Sequence, residues 1–332
     1  MSSSRILGAI LIFFGGTAQG NMGTFSPEEY FTGVGQAIGS NELDATTKAT
    51  DMARAELAKS VAAKVEASSE SSINAAREKN GSGPMQEYVQ KTYKSTYKIT
   101  AAIGRLTDIE IRRHQYSATN HRAEVLLVID RAKYVKKHLP DLKERGRAIH
   151  RIALEAASAT KALRRVALFK RTLSLYDQAR SEIETYRAVR RASDPSILEI
   201  VGTNREQLIE SLLKAASSVR FVVQLKGSQE LLDVVTSTLT KFGFVIGDNG
   251  TTTLNLTEEV KSIPDSLMAS HGMHLVRASL TVMAEEYGHR ATSFELVETE
   301  SSQDEGGAKI RAFNALKTTI DESLISRLLE AL

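Results

Sequence analysis

Cysteine and tryptophan are both missing from this chain of 332 residues. Without cysteine there can be no disulfide framework, no thiolate metal site and no cysteine nucleophile. Attachment of lipid to a mature N-terminal cysteine is excluded for the same reason. A chain free of thiols suits an oxidising compartment, where a stray thiol is a hazard. Past the N-terminus no run of 18 apolar residues occurs, so nothing there reads as a transmembrane helix. The G-x-S-x-G, P-loop and H-E-x-x-H patterns are also missing, which leaves no signature of a serine hydrolase, a P-loop nucleotide enzyme or a zinc protease.

What is present starts with an address. Arg5 precedes nine apolar residues, Ile6 to Phe14, then Gly15-Gly16 and Ala18-Gln19-Gly20. This is the pattern of a secretory signal peptide over residues 1–20, with cleavage expected before Asn21. It predicts an exported protein of the periplasm or the outer-membrane periphery.

Charge divides the remainder into blocks. Asn21 to Asp130 carries 13 Lys+Arg and 14 Asp+Glu; Arg131 to Arg191 carries 17 and 6, or +11; Val219 to the C-terminus carries 10 and 16, or −6. Such blocks mark different structural units. The expected division is a domain over 21–130, a helical segment over 131–218 and a second domain over 219–332.

In the first block, Glu29 to Ala37 reads as a strand. Asn41 can cap a helix, with Asp44 favouring its positive end. Ala45, Ala49, Ala53, Leu57, Val61 and Val65 then form one helical face. Gly81 to Pro84 reads as a loop. Tyr93 to Ile99, Leu106 to Tyr116 and Ala123 to Ile129 read as strands joined by short turns, which favours antiparallel pairing. In the middle block no Gly or Pro falls between Arg147 and Asp194. This run is either one helix of nearly fifty residues or a hairpin folded near Ser158–Lys161. Pro140 is expected to bend or separate what precedes it, and Asn204 to cap a short helix. The last block reads β-α-β-β-β-β-α, with Gly247 to Gly250 as a hairpin turn and a closing helix presenting Ile310, Phe313, Leu316, Ile320, Leu324 and Leu328. The fold class is α+β: two antiparallel-sheet domains joined by a long basic helical segment.

Gly33, Gly35 and Gly39 raise the question of a nucleotide loop. Such a loop needs a buried parallel strand running into a helix N-terminus. Thr32, Gln36 and Ser40 make this stretch too polar, and the next strands look antiparallel, so a nucleotide enzyme is only the alternative. The glycines instead read as strand positions that another element approaches closely.

"YFTGVGQA" followed by "ATTKATDMARAELAKSVAAKV" resembles the start of the bacterial LPP family, typified by the twenty-kilodalton membrane-associated lipoprotein. It is also similar to the front module of flagellar assembly protein T. The matching positions are Gly33, Gly35, Ala37, Ala45, Ala49, Ala53, Arg54 and Leu57, in a region from Glu29 to Lys137. The resemblance implies secretion, an α+β fold and envelope association without known catalysis. The absence of a lipidated cysteine is a departure from the lipoprotein members.

Two constellations remain. His271, His274 and His289 would ligate a metal only if they converged; His114 and His121 read as surface residues. Glu258-Glu259 and Glu285-Glu286 are adjacent on strands, so each pair splits between two faces and forms no acid/base couple. The basic block offers Lys136, Lys137, Lys143, Arg145, Arg147, Arg151, Arg164 and Arg165 to an anionic partner, either an envelope protein or an anionic envelope surface. Aromatics for base stacking are sparse there, which argues against nucleic acid. The expectation is a non-catalytic envelope accessory with no cofactor, its oligomeric state open.

Overall fold

The computed structural model describes residues 25–79 and 107–332. The apolar N-terminal segment, the loop at Gly81–Pro84 and the alternating run Tyr93–Ile99 lie outside the described residues. The chain begins with β1 (Tyr30–Ile38), α1 (Glu42–Lys79), β2 (Ile109–Ser117) and β3 (Arg122–Asp130). The strands form an antiparallel sheet in the order β1-β3-β2, with Gly35 opposite Val125 and Ile111 opposite Leu127. Asn41 starts α1 as expected: its side chain accepts the Asp44 N–H at 2.9 Å, and the Asp44 carboxylate accepts the Ser40 N–H at 2.8 Å. The first bond satisfies an amide that a helix start leaves orphaned, and the second ties the residue before the cap to the helix. α1 then lies across β1 and β3. Ala45, Ala49, Ala53, Leu57 and Val61 are all fully buried beneath it; the side chain of Val65 lies outside those described.

The basic middle is a hairpin, α2 (Arg131–Ser158) and α3 (Ala162–Val189). Ala159 and Lys161 are extended and break the helix. Lys161 gives α3 no side-chain cap; instead the buried Glu286 carboxylate accepts the Ala162 N–H at 2.8 Å and the Leu163 N–H at 3.4 Å. Pro140 does not separate anything. α2 runs through it, because Pro140 and Lys136 both sit on the exposed side, where water can meet the carbonyl that the ring frees. Two short helices follow, α4 (Ile197–Val201) and α5 (Arg205–Ser218), each opened by a capping box: Ser196 with Glu199, and the expected Asn204 with Gln207.

The last part comprises β4 (Arg220–Lys226), α6 (Gln229–Phe242), β5 (Val245–Ile246), β6 (Thr252–Ile263), α7 (Ser266–Ser270), β7 (His274–Glu286), β8 (His289–Ser302) and α8 (Glu305–Glu330). The class is α+β, as expected, but this sheet is mixed. Its order is β5-β4-β6-β7-β8, with β4 parallel to both β5 and β6 and the rest antiparallel. The helical crossover α6 makes the parallel pairing possible. Gly247 to Gly250 is therefore no hairpin turn, since β5 and β6 flank β4 on opposite edges. The loop crosses the start of β4 so closely that a Cβ on Gly250 would lie 2.3 Å from the Arg220 carbonyl oxygen.

Among the described residues three hydrophobic clusters hold the fold, and α3 belongs to all of them. Leu163, Val166 and Phe169 join the cluster of the five-stranded sheet; Tyr176, Ile183 and Tyr186 pack with Leu142, Ile149, Ile200 and Leu208; Ala188 and Val189 close the cluster under α1.

Candidate functional site: a basic helix face

The glycine stretch is a packing seam. Gly33 and Gly35 sit inside β1 and face α1. A Cβ on Gly33 would lie 2.3 Å from the Ala53 carbonyl oxygen, and one on Gly35 would lie 1.9 Å from that of Ala49. Gly39 meets the first turn of α1 at Ala45. The helix start is already served by Asn41 and carries Glu42 and Asp44, whose charges oppose a phosphate. The nucleotide-loop alternative thus lacks its geometry. Ala37 extends the same seam, half-buried opposite Ala123. Arg54 points outward, paired with Asp51 at 3.7 Å. With Ala55 and Ala58 these two residues line a groove of about 680 Å³ above Ile109, Ile111 and Leu127.

The histidine trio does not converge. His274 opens β7 and pairs with Ser302, whereas His289 opens β8 opposite Glu286. They lie at opposite ends of the ladder, about 40 Å apart at 3.3 Å per residue. His114 and His121 are exposed, as expected, and bond Thr46 and Tyr116 at 2.8 Å. Glu258 accepts the Ser228 N–H at 2.6 Å and Glu286 caps α3, so both serve the fold.

Half of the eight basic candidates are engaged within the chain. Lys137 bonds Asp108; Arg145 pairs with Glu182 at 3.2 Å and Arg164 with Glu155 at 3.0 Å, both across the hairpin; Arg165 donates to the Ala159 carbonyl at 2.6 Å. The other half, Lys136, Lys143, Arg147 and Arg151, are exposed and have no ion-pair or hydrogen-bond partner among the described residues. All four lie on α2 at spacings that place them on one face. The opposite face of α2, with Val135, Leu142, Ile149 and Ala156, is buried.

Two further clusters escaped the sequence reading. Arg131 is buried and uses its whole guanidinium on carbonyls: Nε to Val189 at 2.6 Å, Nη1 to Pro27 at 2.8 Å and Glu28 at 3.1 Å, Nη2 to Arg190 at 2.6 Å and Ala188 at 3.5 Å. It also stacks on Phe31, 5.1 Å from the ring centroid, and Lys64 lies 5.3 Å from the same centroid. Burial, then the charges of Arg131 and Arg190, lower the Lys64 pKa. The second cluster forms where β2 begins. Asp108 adopts φ 65° and accepts from Lys137, from His138 Nε2 at 2.8 Å and from Thr107 at 3.0 Å. Partial burial pushes the Asp108 carboxyl up, but the three donors outweigh it and its pKa is lowered. Thr107 lies 3.2 Å from the same His138 nitrogen. A hydroxyl and a carboxylate sharing one ring nitrogen cannot form a nucleophile–base–orienter relay, which uses both. No local pattern announces either cluster, because each joins residues far apart in the chain.

No protein-family model and no curated protein matches the chain. Among solved structures it has a weak likeness to bacterial lipoproteins of the minor and rare types. A minor lipoprotein of Acinetobacter baumannii is 17% identical at a TM-score of 0.25, covering 34% of this chain and 91% of that one. Rare lipoprotein B of Shewanella oneidensis is 16% identical at 0.26, covering 33% and 91%. A secreted protein of Helicobacter pylori is 11% identical at 0.36 and covers 88% of this chain and 97% of its own. Among the described residues no helix is long and apolar enough to cross a membrane.

Proposed function

We propose that the chain is a non-catalytic, exported accessory of the bacterial cell envelope that works by contact with an envelope protein or an anionic envelope surface. The observation that carries this reading is the N-terminal stretch: Arg5, the apolar core Ile6–Phe14 and the small residues Ala18 and Gly20 ahead of Asn21. The LPP-like pattern at Gly33, Gly35, Ala37, Ala45, Ala49, Ala53, Arg54 and Leu57 supports it, and so does the exposed basic face of α2. The proposal rests on these residues of the chain and not on the structural likenesses.

The test is the N-terminal mass of the protein recovered from fractionated host cells. A start at Asn21 in a periplasmic or outer-membrane fraction is the expected result. An intact Met1 in the cytosol would overturn the reading. Thermal melts with nucleotides and divalent metals address catalysis and cofactors. A ligand that binds only the folded state raises the melting temperature, and the proposal expects no rise.

A further inference from the structure

The cations of α2 that have no partner among the described residues form a line. Lys136, Lys143, Arg147 and Arg151 follow one another at steps of seven, four and four residues, with Pro140 between the first two and Leu154 three residues beyond the last. Steps of three, four and seven keep residues on one helix face. Every one of these six positions is exposed, and Leu154 is 57% exposed. At 1.5 Å per residue the stripe from Lys136 to Leu154 is about 27 Å long.

The stripe is on a rigid mount. The other side of α2 packs against α3 and α4, so tightly that a Cβ on Gly146 would lie 2.6 Å from the Ile200 carbonyl oxygen. The helix cannot roll to hide its charges. Lys137, Arg145, Arg164 and Arg165 have each found a carboxylate or carbonyl, whereas these four have no such partner among the described residues. They sit on an exposed helix face, and an uncharged leucine and proline lie in the same line. A line of long cationic side chains ending at an exposed leucine suits a flat, laterally mobile anionic surface. Lys and Arg stems can reach headgroups while the apolar residue meets the acyl boundary.

We infer that this face of α2 seats the protein on anionic phospholipid headgroups. The inference deepens the proposed envelope contact and rests on that reading. Electrostatic attraction supplies the contact, so it weakens as salt rises. Each basic residue near an anionic bilayer strengthens binding about fivefold.

The experiment is flotation of the protein purified from its host with vesicles of phosphatidylcholine alone or mixed with phosphatidylglycerol. Binding to the mixed vesicles only, lost at high salt, is expected. The quadruple variant K136E/K143E/R147E/R151E should lose at least a hundredfold in affinity. A control with the same charge change at four other exposed cations without ion-pair partners among the described residues, K59E/R220E/K226E/R290E, should stay within about tenfold of the parent protein. All eight positions are exposed, and a thermal melt of each variant verifies its fold. Equal binding to both vesicle types, no binding to either, or equal losses in the two variants would each overturn the inference. Stripe-dependent capture of poly-glutamate without vesicle binding would also overturn it and assign the face to an acidic protein. None of these results bears on export, which the N-terminal mass decides separately.

Discussion

Helices α1 and α8 meet their sheets along the same kind of line. In both, every fourth residue is buried: Ala45, Ala49, Ala53, Leu57 and Val61 in the first, Ala308, Ala312, Leu316, Ile320, Leu324 and Leu328 in the second. The residues differ in size, and so do the sheets below. Under α1 the first strand offers Gly33 and Gly35, so helix carbonyls approach to where a single methyl would collide. α8 lies over β7 and β8, whose core face offers Val276, Leu280, Val282 and Leu296. One seam is held by backbone proximity and the other by interlocked side chains. The first should therefore be destroyed by adding atoms and the second by removing them.

The sharpest way to break this contrast is Gly35→Val. The new side chain has no room beside Ala49, so α1 must lift from the sheet at a cost of about 4 kcal/mol or more. Gly247→Ala is its control, because nothing lies within 4 Å of the added carbon; its effect should stay below about 0.5 kcal/mol. Denaturant titration measures both. In the opposite seam Leu316→Ala should cost about 3 kcal/mol through the cavity it leaves. No loss for Gly35→Val would contradict the first half of this contrast, and no loss for Leu316→Ala the second. Arg131→Met tests the joint between the α1 seam and the end of α3. It leaves carbonyls of Pro27, Glu28, Ala188, Val189 and Arg190 without their donor, and should cost about 3 kcal/mol. A near-neutral result would show that water replaces the guanidinium.

The smallest effect concerns pH and belongs to the first seam's sheet. The Asp108 carboxyl titrates below its ordinary value of 3.8 because Lys137, His138 and Thr107 together outweigh its partial burial. A depressed carboxylate adds stability that is present above the unfolded value and is lost as pH falls through the folded one. Acid titration of stability should therefore show a loss beginning below about pH 4 that Asp108→Asn diminishes. An unchanged acid limb in that variant would refute this.

Local patterns made several of these features readable. Asn41 and Asn204 cap the helices they were expected to cap, and the small-residue ladder of α1 lies where its spacing puts it. The α+β class follows from the alternating strands and amphipathic runs. What the pattern concealed is settled by distant partners. The break between α2 and α3 is served by Glu286, whose carboxylate comes from the far sheet. The parallel pairing of β4 depends on which strand edge the chain chooses after α6. At the start of α8, Ile310 is 65% exposed and Phe313 only half-buried, because Ala308 and Ala312 continue the four-residue line instead. A hydrophobicity pattern favours the larger residues there, whereas the sheet admits the smaller ones. In the basic block composition shows the charge, but only the fold separates the cations already bonded from those left facing outward.

Hydrogen exchange of Gly33→Ala against the parent protein tests the two-seam account most directly. The added methyl meets the Ala53 carbonyl oxygen at 2.3 Å, and proteins open in cooperative local units. The account predicts that amides of α1, β1 and β3 lose protection while those of β6, β7, β8 and α8 keep it. Full protection throughout α1, or an equal loss in both halves, would contradict it.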